Sequence, residues 1–235
     1  MIPPKSSKVI IQSPFGENKM KSWIRYGILS ADLEALVMKL YLIRHGETSW
    51  NHLRKLQGRT DIELNENGRA VAELTRDGFK NISFDVAFTS PLKRARETAE
   101  IILEGRNVPI IDDRRIIEVS FGEFEGTDFN LDDEAIRKFF VQPEEYQSVR
   151  GTESMESILA RLKDFWNEIS NDPNLKESTI LISTHGAALS GLLTVIKGNS
   201  VDKYWAGGLH KNCGYSVVEV KDGKVEILKE AITVY

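Results

Sequence analysis

The sequence predicts an α/β protein: a three-layer sandwich whose mostly parallel sheet, with one antiparallel strand, is covered by helices on both faces. Three observations carry this. Short apolar runs alternate along the chain with stretches of helical spacing, the pattern of repeated strand–helix units. The runs Leu40–Ile43 and Thr179–Ile182 are apolar at nearly every position, as in strands buried on both faces. Near the end of the chain, Tyr215–Val220 and Lys224–Leu228 flank Lys221-Asp222-Gly223, a hairpin signal that adds an antiparallel strand.

The elements follow in order. Leu40–Ile43 is the first strand and runs into a charged loop. Asn65 caps a helix through Ala70, Val71 and Leu74 toward Phe79, with Gly78 near its end. Phe84–Thr89 is the second strand. Ser90-Pro91 opens a helix through Ala95, Ala99 and Ile102, with proline near the first turn, where its missing N–H costs little. Val108–Ile111 is the third strand. Ser154 starts a helix with Ile158, Leu162, Phe165 and Ile169 on one face, and Pro173 follows its end. Thr179–Ile182 is the fourth strand, and Ala187–Ile196 the helix after it. Residues 127–150 read as a helical cap inserted over the site.

Composition closes several doors. The 235 residues are 41% hydrophobic and 28% charged, with net charge −4, ordinary for a globular chain. No apolar run reaches the ~18 residues of a membrane helix. A single cysteine, Cys213, excludes an internal disulfide and a cysteine-rich zinc site and fits a reducing, cytoplasmic setting. The mild acidity speaks against nucleic acid as a partner. Residues 1–37 differ from the rest: Lys5, Lys8, Lys19, Lys21 and Arg25 outnumber Glu17, Asp32 and Glu34, leaving −6 on residues 38–235. Pro3, Pro4 and Pro14 also fall there, so 1–37 is expected to be a poorly ordered or non-native extension, and 38–235 the functional domain.

In folds of this class ligands sit beyond the carboxyl ends of the strands. Arg44-His45-Gly46-Glu47 follows the first strand there, and Gly46 allows close backbone approach. Asn51 and Gln57-Gly58 lie in the same loop, the two amides being uncharged donors suited to phosphate oxygens. Arg94 stands in the first turn of the helix after the second strand, where backbone N–H groups also attract anions. Lys93 and Arg96 beside it read as solvated. The fourth strand ends in Ser183-Thr184-His185-Gly186, the same strand–His–Gly–helix theme 140 residues after the first. Four acids follow the third strand, Glu118, Glu123, Glu125 and Asp128, and the residues alone do not choose among them. His52 and His210 lack ligand spacing and read as surface or loop residues, so no metal site is expected.

These stretches together resemble the histidine phosphatase superfamily, which includes the phosphoglycerate mutases. The resemblance covers about 39–235. It rests on Leu42-Ile43-Arg44-His45-Gly46-Glu47-Thr48-Ser49-Trp50-Asn51, on Ser90 to Ala99, on Glu118 to Gly126, on Gly151-Thr152-Glu153-Ser154 and on Thr184-His185-Gly186. It implies a phosphoglycerate mutase-like fold, with His45 as the phosphorylated nucleophile, Arg44, Arg94 and His185 around the phosphate and Asn51 as a further contact. It selects Glu118 as the proton donor. Gln57, Gly58 and Gly186 complete the expected substrate-binding set.

The implied reaction is metal-independent hydrolysis of a small phosphorylated metabolite through a phosphohistidine, without a cofactor. Two neighbouring arginines are expected to repel a proton from His45 and to fork onto phosphate oxygens. The mutases of the family carry a longer insertion with paired arginines that grip a carboxylate. Here 67 residues separate Glu118 from His185, and they contain no Arg-Arg pair, only Arg137, Lys138, Arg150, Arg161, Lys163 and Lys176. The cap offers Phe121, Phe124, Phe129, Phe139, Phe140 and Tyr146, from which an apolar or aromatic substrate wall is expected. The expectation is therefore a phosphatase, with a ribazole-phosphatase-like or sugar-phosphate role compatible. The alternatives are a 2,3-bisphosphoglycerate-dependent mutase or a catalytically silent binding module. A homodimer is left open.

Overall fold

The computed structural model describes residues 37–235. The expectation for 1–37 lies outside them, apart from Val37, which is the first residue of strand β1 (Val37–Arg44). Six strands form one sheet in the order β3-β2-β4-β1-β5-β6, with β2 at Val86–Thr89, β3 at Ile110–Asp112, β4 at Thr179–Thr184, β5 at Tyr215–Lys221 and β6 at Lys224–Ile232. β1 to β4 pair in parallel, and β5 runs antiparallel to both β1 and β6. This is the mostly parallel sheet with one reversed strand that the sequence predicts.

Alternation along β1 divides the core between two layers. Leu40 and Leu42 face a cluster with Ile158, Leu162, Phe165 and Leu189, from helices α5 (Met155–Asn171) and α6 (Gly186–Lys197). Ile43 faces the opposite cluster with Ala72, Phe79, Ala99 and Ile102, around α2 (Glu66–Gly78) and α3 (Lys93–Ile102). Burying such a leucine is worth about 1.5–3 kcal/mol. Two shorter helices complete the fold: α1 (Ser49–His52) directly after β1, and α4 (Glu134–Val141) within 127–150. No helix among the described residues is long and apolar enough to cross a membrane.

Strand register positions the chemistry. Leu42 pairs with Ile182 and Arg44 with Thr184, and Thr89 pairs with Ser183. The residues just past those pairs, His45, His185 and Ser90, therefore emerge side by side at the carboxyl edge. The His45 N–H donates to Thr184 O (2.9 Å) and the Ser90 N–H to Ser183 O (3.0 Å).

The structure moves some boundaries. α3 begins two residues after Pro91, and α2 turns a different face inward than its apolar residues suggest. Gly68, Ala72 and Thr75 are buried, whereas Leu74 is 52% exposed. Small residues win because α2 lies against the backbone of the loop after β1. Asn65 caps α2 by accepting from the Gly68 N–H (2.7 Å), and its own N–H and Nδ2 bind Glu47 O and Oε1. A side chain at Gly68 would meet the Glu47 backbone. Gly68→Ala is therefore expected to destabilise the fold by roughly 1–3 kcal/mol. The assay is the urea midpoint, and an unchanged midpoint would disprove this close packing.

Candidate active site

His45 is 2% exposed, and its Nδ1 lies 2.6 Å from Gly46 O. A carbonyl only accepts, so Nδ1 carries the proton and Nε2 keeps its lone pair. Arg94 Nε donates toward that lone pair at 3.3 Å. Burial pushes the His45 pKa well below the ordinary imidazole range, and the charges of Arg94 and then Arg44 push it further. The expected repulsion by two arginines is present, but desolvation is the larger cause. The main chain at His45 is held as well, by Asn212 Nδ2 on its carbonyl (3.1 Å).

Arg94 is fully buried. Its Nη2 donates to Gly58 O (2.7 Å) and one Nη1 hydrogen to Thr60 O (2.9 Å), while Nε–H is shared between His45 Nε2 and His185 Nδ1 (3.1 Å). Burial lowers its pKa to about 10, still far above neutral, so it stays charged. Gly58 has φ +55°, and a side chain there would collide with the Glu125 carboxylate. Glycine is what lets this loop present its carbonyl to Arg94.

Arg44 donates from Nη1 to His210 O (2.6 Å), and its Nε is buried with no partner among the described residues. An unpaired buried donor costs about 1–3 kcal/mol; an anion at this position would satisfy it. Gly186 packs against the Arg44 guanidinium and Leu209. His185 is fully buried, and its ring centroid lies 5.1 Å from that of His45. Its Nδ1 accepts from Arg94, so Nε2 carries the proton, toward Ser90 Oγ at 2.7 Å. Burial, then Arg94 and His45, hold its pKa well below the usual value. In this arrangement His185 is a neutral acceptor for Arg94.

Geometry separates the four acids. Glu118 alone among them lines the cavity with Arg44, His45 and Arg94. Its Oε1 accepts from the Val119 and Ala188 N–H groups (both 2.9 Å) and Oε2 from Ala187 (3.3 Å), so the side chain caps the start of α6. Glu125 instead braces the Arg94 loop through the N–H groups of Arg59 and Thr60. Asp128 lies 3.5 Å from Lys55 Nζ, and Glu123 is exposed.

Asn51 and Gln57 also line the cavity. Asn51 Oδ1 accepts from the Thr48 N–H and from Asn212 Nδ2 (both 3.2 Å), leaving its own NH2 uncommitted among the described residues. Gln57 differs from expectation: its Nε2 is spent on Thr48 Oγ1 (2.5 Å), and its Oε1 is buried without a partner among the described residues. As oriented it fastens Thr48 instead of offering a donor to the cavity. Lys93 and Arg96 are paired with acids at the surface, as expected. His210 requires a correction. It lies in a loop but is 1% exposed, with Nε2 on Ser216 Oγ (2.7 Å), and burial lowers its pKa to about 4. Its carbonyl holds Arg44, which explains its position.

The sequence reading missed several supports. Thr48 and Asn51 form a capping box for α1, legible as a Thr followed three residues later by Asn. Ser90, whose Oγ meets His185 Nε2, opens the Ser90–Ala99 stretch, where its residue type alone does not mark that role. Asn212 arrives from the loop before β5, and nothing local to it gives a signal. Arg161 donates to the carbonyls of Arg115 (2.6 Å) and Ile117 (2.7 Å) and pairs with Glu153, which also pairs with Arg59. Arg59 in turn binds Glu118 O (3.1 Å), so this chain of ion pairs clamps the Glu118 segment from both sides.

The cavity measures about 310 Å³. Of the expected aromatic wall, Phe121, Phe129 and Phe140 line it, joined by Leu56, Trp205 and Leu209. Phe139 and Phe124 are buried in the core, with Tyr146 packed against Phe139. Phe140 stacks on Trp205 with centroids 5.0 Å apart and on Phe121 at 6.0 Å, which makes this wall one continuous surface.

A fold of this order, with two histidines and two arginines gathered at its carboxyl edge, defines a class. The sequence model of the histidine phosphatase superfamily (branch 1) matches residues 40–233. Phosphoserine phosphatase 1 of Hydrogenobacter thermophilus is 30% identical over 203 residues, 84% of this chain and 93% of that protein. The uncharacterized phosphatase PhoE of Bacillus subtilis is 39% identical over 158 residues, 67% of this chain and 76% of that one. The solved structure of Bacillus stearothermophilus YhfR superposes with a TM-score of 0.77 at 30% identity, covering 83% of this chain and 98% of that one. The chain belongs to the histidine phosphatase superfamily. It is a phosphoric monoester hydrolase on a phosphoglycerate mutase-like fold.

Three buried histidines give a pH signature. In the unfolded chain they protonate near pH 6.5, whereas in the fold His45, His185 and His210 all take protons only at lower pH. The unfolded state therefore binds more protons below about 6.5, and stability present above that value is lost as pH falls, toward about 4 for His210. The urea midpoint is expected to drop between pH 7 and 5. His210→Gln should remove about one proton from that dependence; a slope that the substitution leaves intact would contradict the assignment.

Proposed function

We propose that this enzyme hydrolyses small phosphomonoesters in two steps through a phosphohistidine at His45. The observation that carries the reading is the His45 tautomer: the Nδ1–H is locked on Gly46 O, and the free Nε2 faces the buried Arg94. The Nε2 lone pair attacks phosphorus, the P–O ester bond breaks, and the protonated Glu118 gives its proton to the leaving oxygen. Glu118, now a carboxylate, takes a proton from water. The resulting hydroxide attacks phosphorus, the N–P bond breaks, and inorganic phosphate leaves. Backbone donors at the start of α6 hold Glu118 in place throughout.

Charge spread over the transferring phosphoryl oxygens is met by Arg44, Arg94 and the Asn51 NH2, which are in place before reaction. A bound phosphate draws the shared Arg94 hydrogen away from His185 and favours its protonation, adding a third cation. Gly58 acts through Arg94, Gln57 through Thr48 and Asn51, and Gly186 by its fit against Arg44. No step is routed through a metal ion.

Hydrolysis is favoured over mutase chemistry by what the cap arginines do. Arg161 is spent on Glu153 and two carbonyls, Arg150 lies over Phe124, and Arg137 bonds Gln142. None lines the cavity. The stacked wall of Phe121, Phe140 and Trp205 suits a substrate with an apolar or aromatic body.

Rapid quenching of turnover with labelled substrate is expected to trap acid-labile phosphate on the wild type and none on His45→Ala. Substantial phosphate release by that variant would overturn the mechanism. Glu118→Gln should slow an alkyl phosphate by roughly 10²–10⁴-fold, and p-nitrophenyl phosphate much less, because nitrophenolate leaves without a proton. Equal losses on both would remove Glu118 from the acid role. Turnover is expected to persist in excess EDTA; inhibition relieved by a divalent ion would count against the mechanism.

A further inference from the structure

The cavity changes character from its floor to its mouth. At the floor, His45, Arg94 and Glu118 are almost fully buried; at the mouth, Phe129 is 44% and Leu209 53% exposed. One cation in the outer half has no assigned task. Arg54 lines the cavity and is exposed, and its guanidinium makes no hydrogen bond or ion pair among the described residues. Its neighbour Lys55 is committed, with Nζ on Gly126 O (2.9 Å) and beside Asp128. On a chain with net charge −4, an arginine left unpaired at the mouth of an apolar cavity stands out.

The backbone fixes where that guanidinium stands. Arg54 has φ +56°, a left-handed conformation that glycine adopts freely and a side chain with a Cβ does not. It is held there by its N–H on Asn51 O (3.0 Å) and by the Phe129 N–H on its carbonyl (2.8 Å). Together with the Lys55 N–H on Trp50 O (2.8 Å), this left-handed residue closes the C-terminus of α1. The conformation projects a guanidinium beside the aromatic wall, where glycine would leave the wall purely apolar.

We infer that Arg54 is a specificity residue that receives a carboxylate at the end of the substrate remote from its phosphate. The favoured substrates are then phosphomonoesters in which an apolar or aromatic body separates phosphate from carboxylate. This rests on the phosphatase reading above. A carboxylate is favoured over a second phosphate because one guanidinium matches it in charge and in fork geometry. A phosphate dianion would need another free cation, and Lys55 is already engaged.

The test compares kcat/KM for phenyl phosphate, 4-carboxyphenyl phosphate and 1,4-phenylene bisphosphate, using the full chain. Wild type is expected to prefer the carboxylated ester. Arg54→Gln and Arg54→Gly should lower the ratio of carboxylated to plain ester by about tenfold, the scale of one charge-assisted hydrogen bond, with Arg54→Lys between. A ratio unmoved by Arg54→Gln overturns the inference and leaves the phosphatase reading intact. A preference for the bisphosphate that Arg54→Gln abolishes overturns the carboxylate assignment. Failure of wild type to hydrolyse any of the three esters overturns the phosphatase reading, and this inference falls along with it.

Discussion

The Arg94 guanidinium sits in the protein interior with no carboxylate bonded to it among the described residues, and the rest of the site is arranged around that fact. A buried cation costs several kcal/mol unless its hydrogens find acceptors. Here the carbonyls of Gly58 and Thr60 take two Nη hydrogens, and two imidazole nitrogens share the Nε–H. That sharing works only while both rings are neutral at the nitrogens they present. This sharing sets the tautomer of His185 and matches the one that Gly46 O gives His45, and the same guanidinium accounts for the left-handed turn at Gly58 and the role of Glu125, whose carboxylate fixes the loop that offers the carbonyls.

Around this centre the charges are deliberately unequal. The chain as a whole is acidic, yet the floor of the cavity gathers two guanidinium groups with little direct compensation. Burial lowers the pKa of both and the nearby Glu118 offsets part of that, but its oxygens are bonded to backbone N–H groups, not to the arginines. The cationic donors are thereby kept for an incoming anion. Outside the floor, the Arg59–Glu153–Arg161 chain turns three further charges inward on one another and on carbonyls. They fix the backbone on either side of Glu118 and stay out of the cavity.

Much of this is legible in the sequence. Apolar runs mark the four parallel strands, and Asn65 and Ser154 mark helix starts that the structure reproduces. The two His-Gly pairs and Arg94 identify the carboxyl edge. Less legible are features set by packing. The inward face of α2 follows Gly68, Ala72 and Thr75, because close approach to the Glu47 backbone outweighs the burial of Leu74. His210 reads as a loop residue, and only its place beneath Arg44 makes it buried. Gln57 has the chemistry of a phosphate donor, and a neighbouring hydroxyl claims it.

The sequence by itself determined the layers of the sandwich, the two histidines and two arginines at strand ends, and the aromatic supply of the cap, because these follow from periodicity and residue type, which are local. Only the tertiary structure decided which aromatics form the wall and which ring nitrogen is free, and it set in the cavity the acid, Glu118, that the residues alone left among four and the family resemblance selected. The wall and the placing of Glu118 depend on partners far along the chain, Trp205 for Phe140 and Ala188 for Glu118, and the His45 tautomer on the turn of its ring toward Gly46 O. A distant partner leaves no periodic trace, and it acts only once parallel pairing of β1 with β2 and β3 through β4 has brought the strand ends into register.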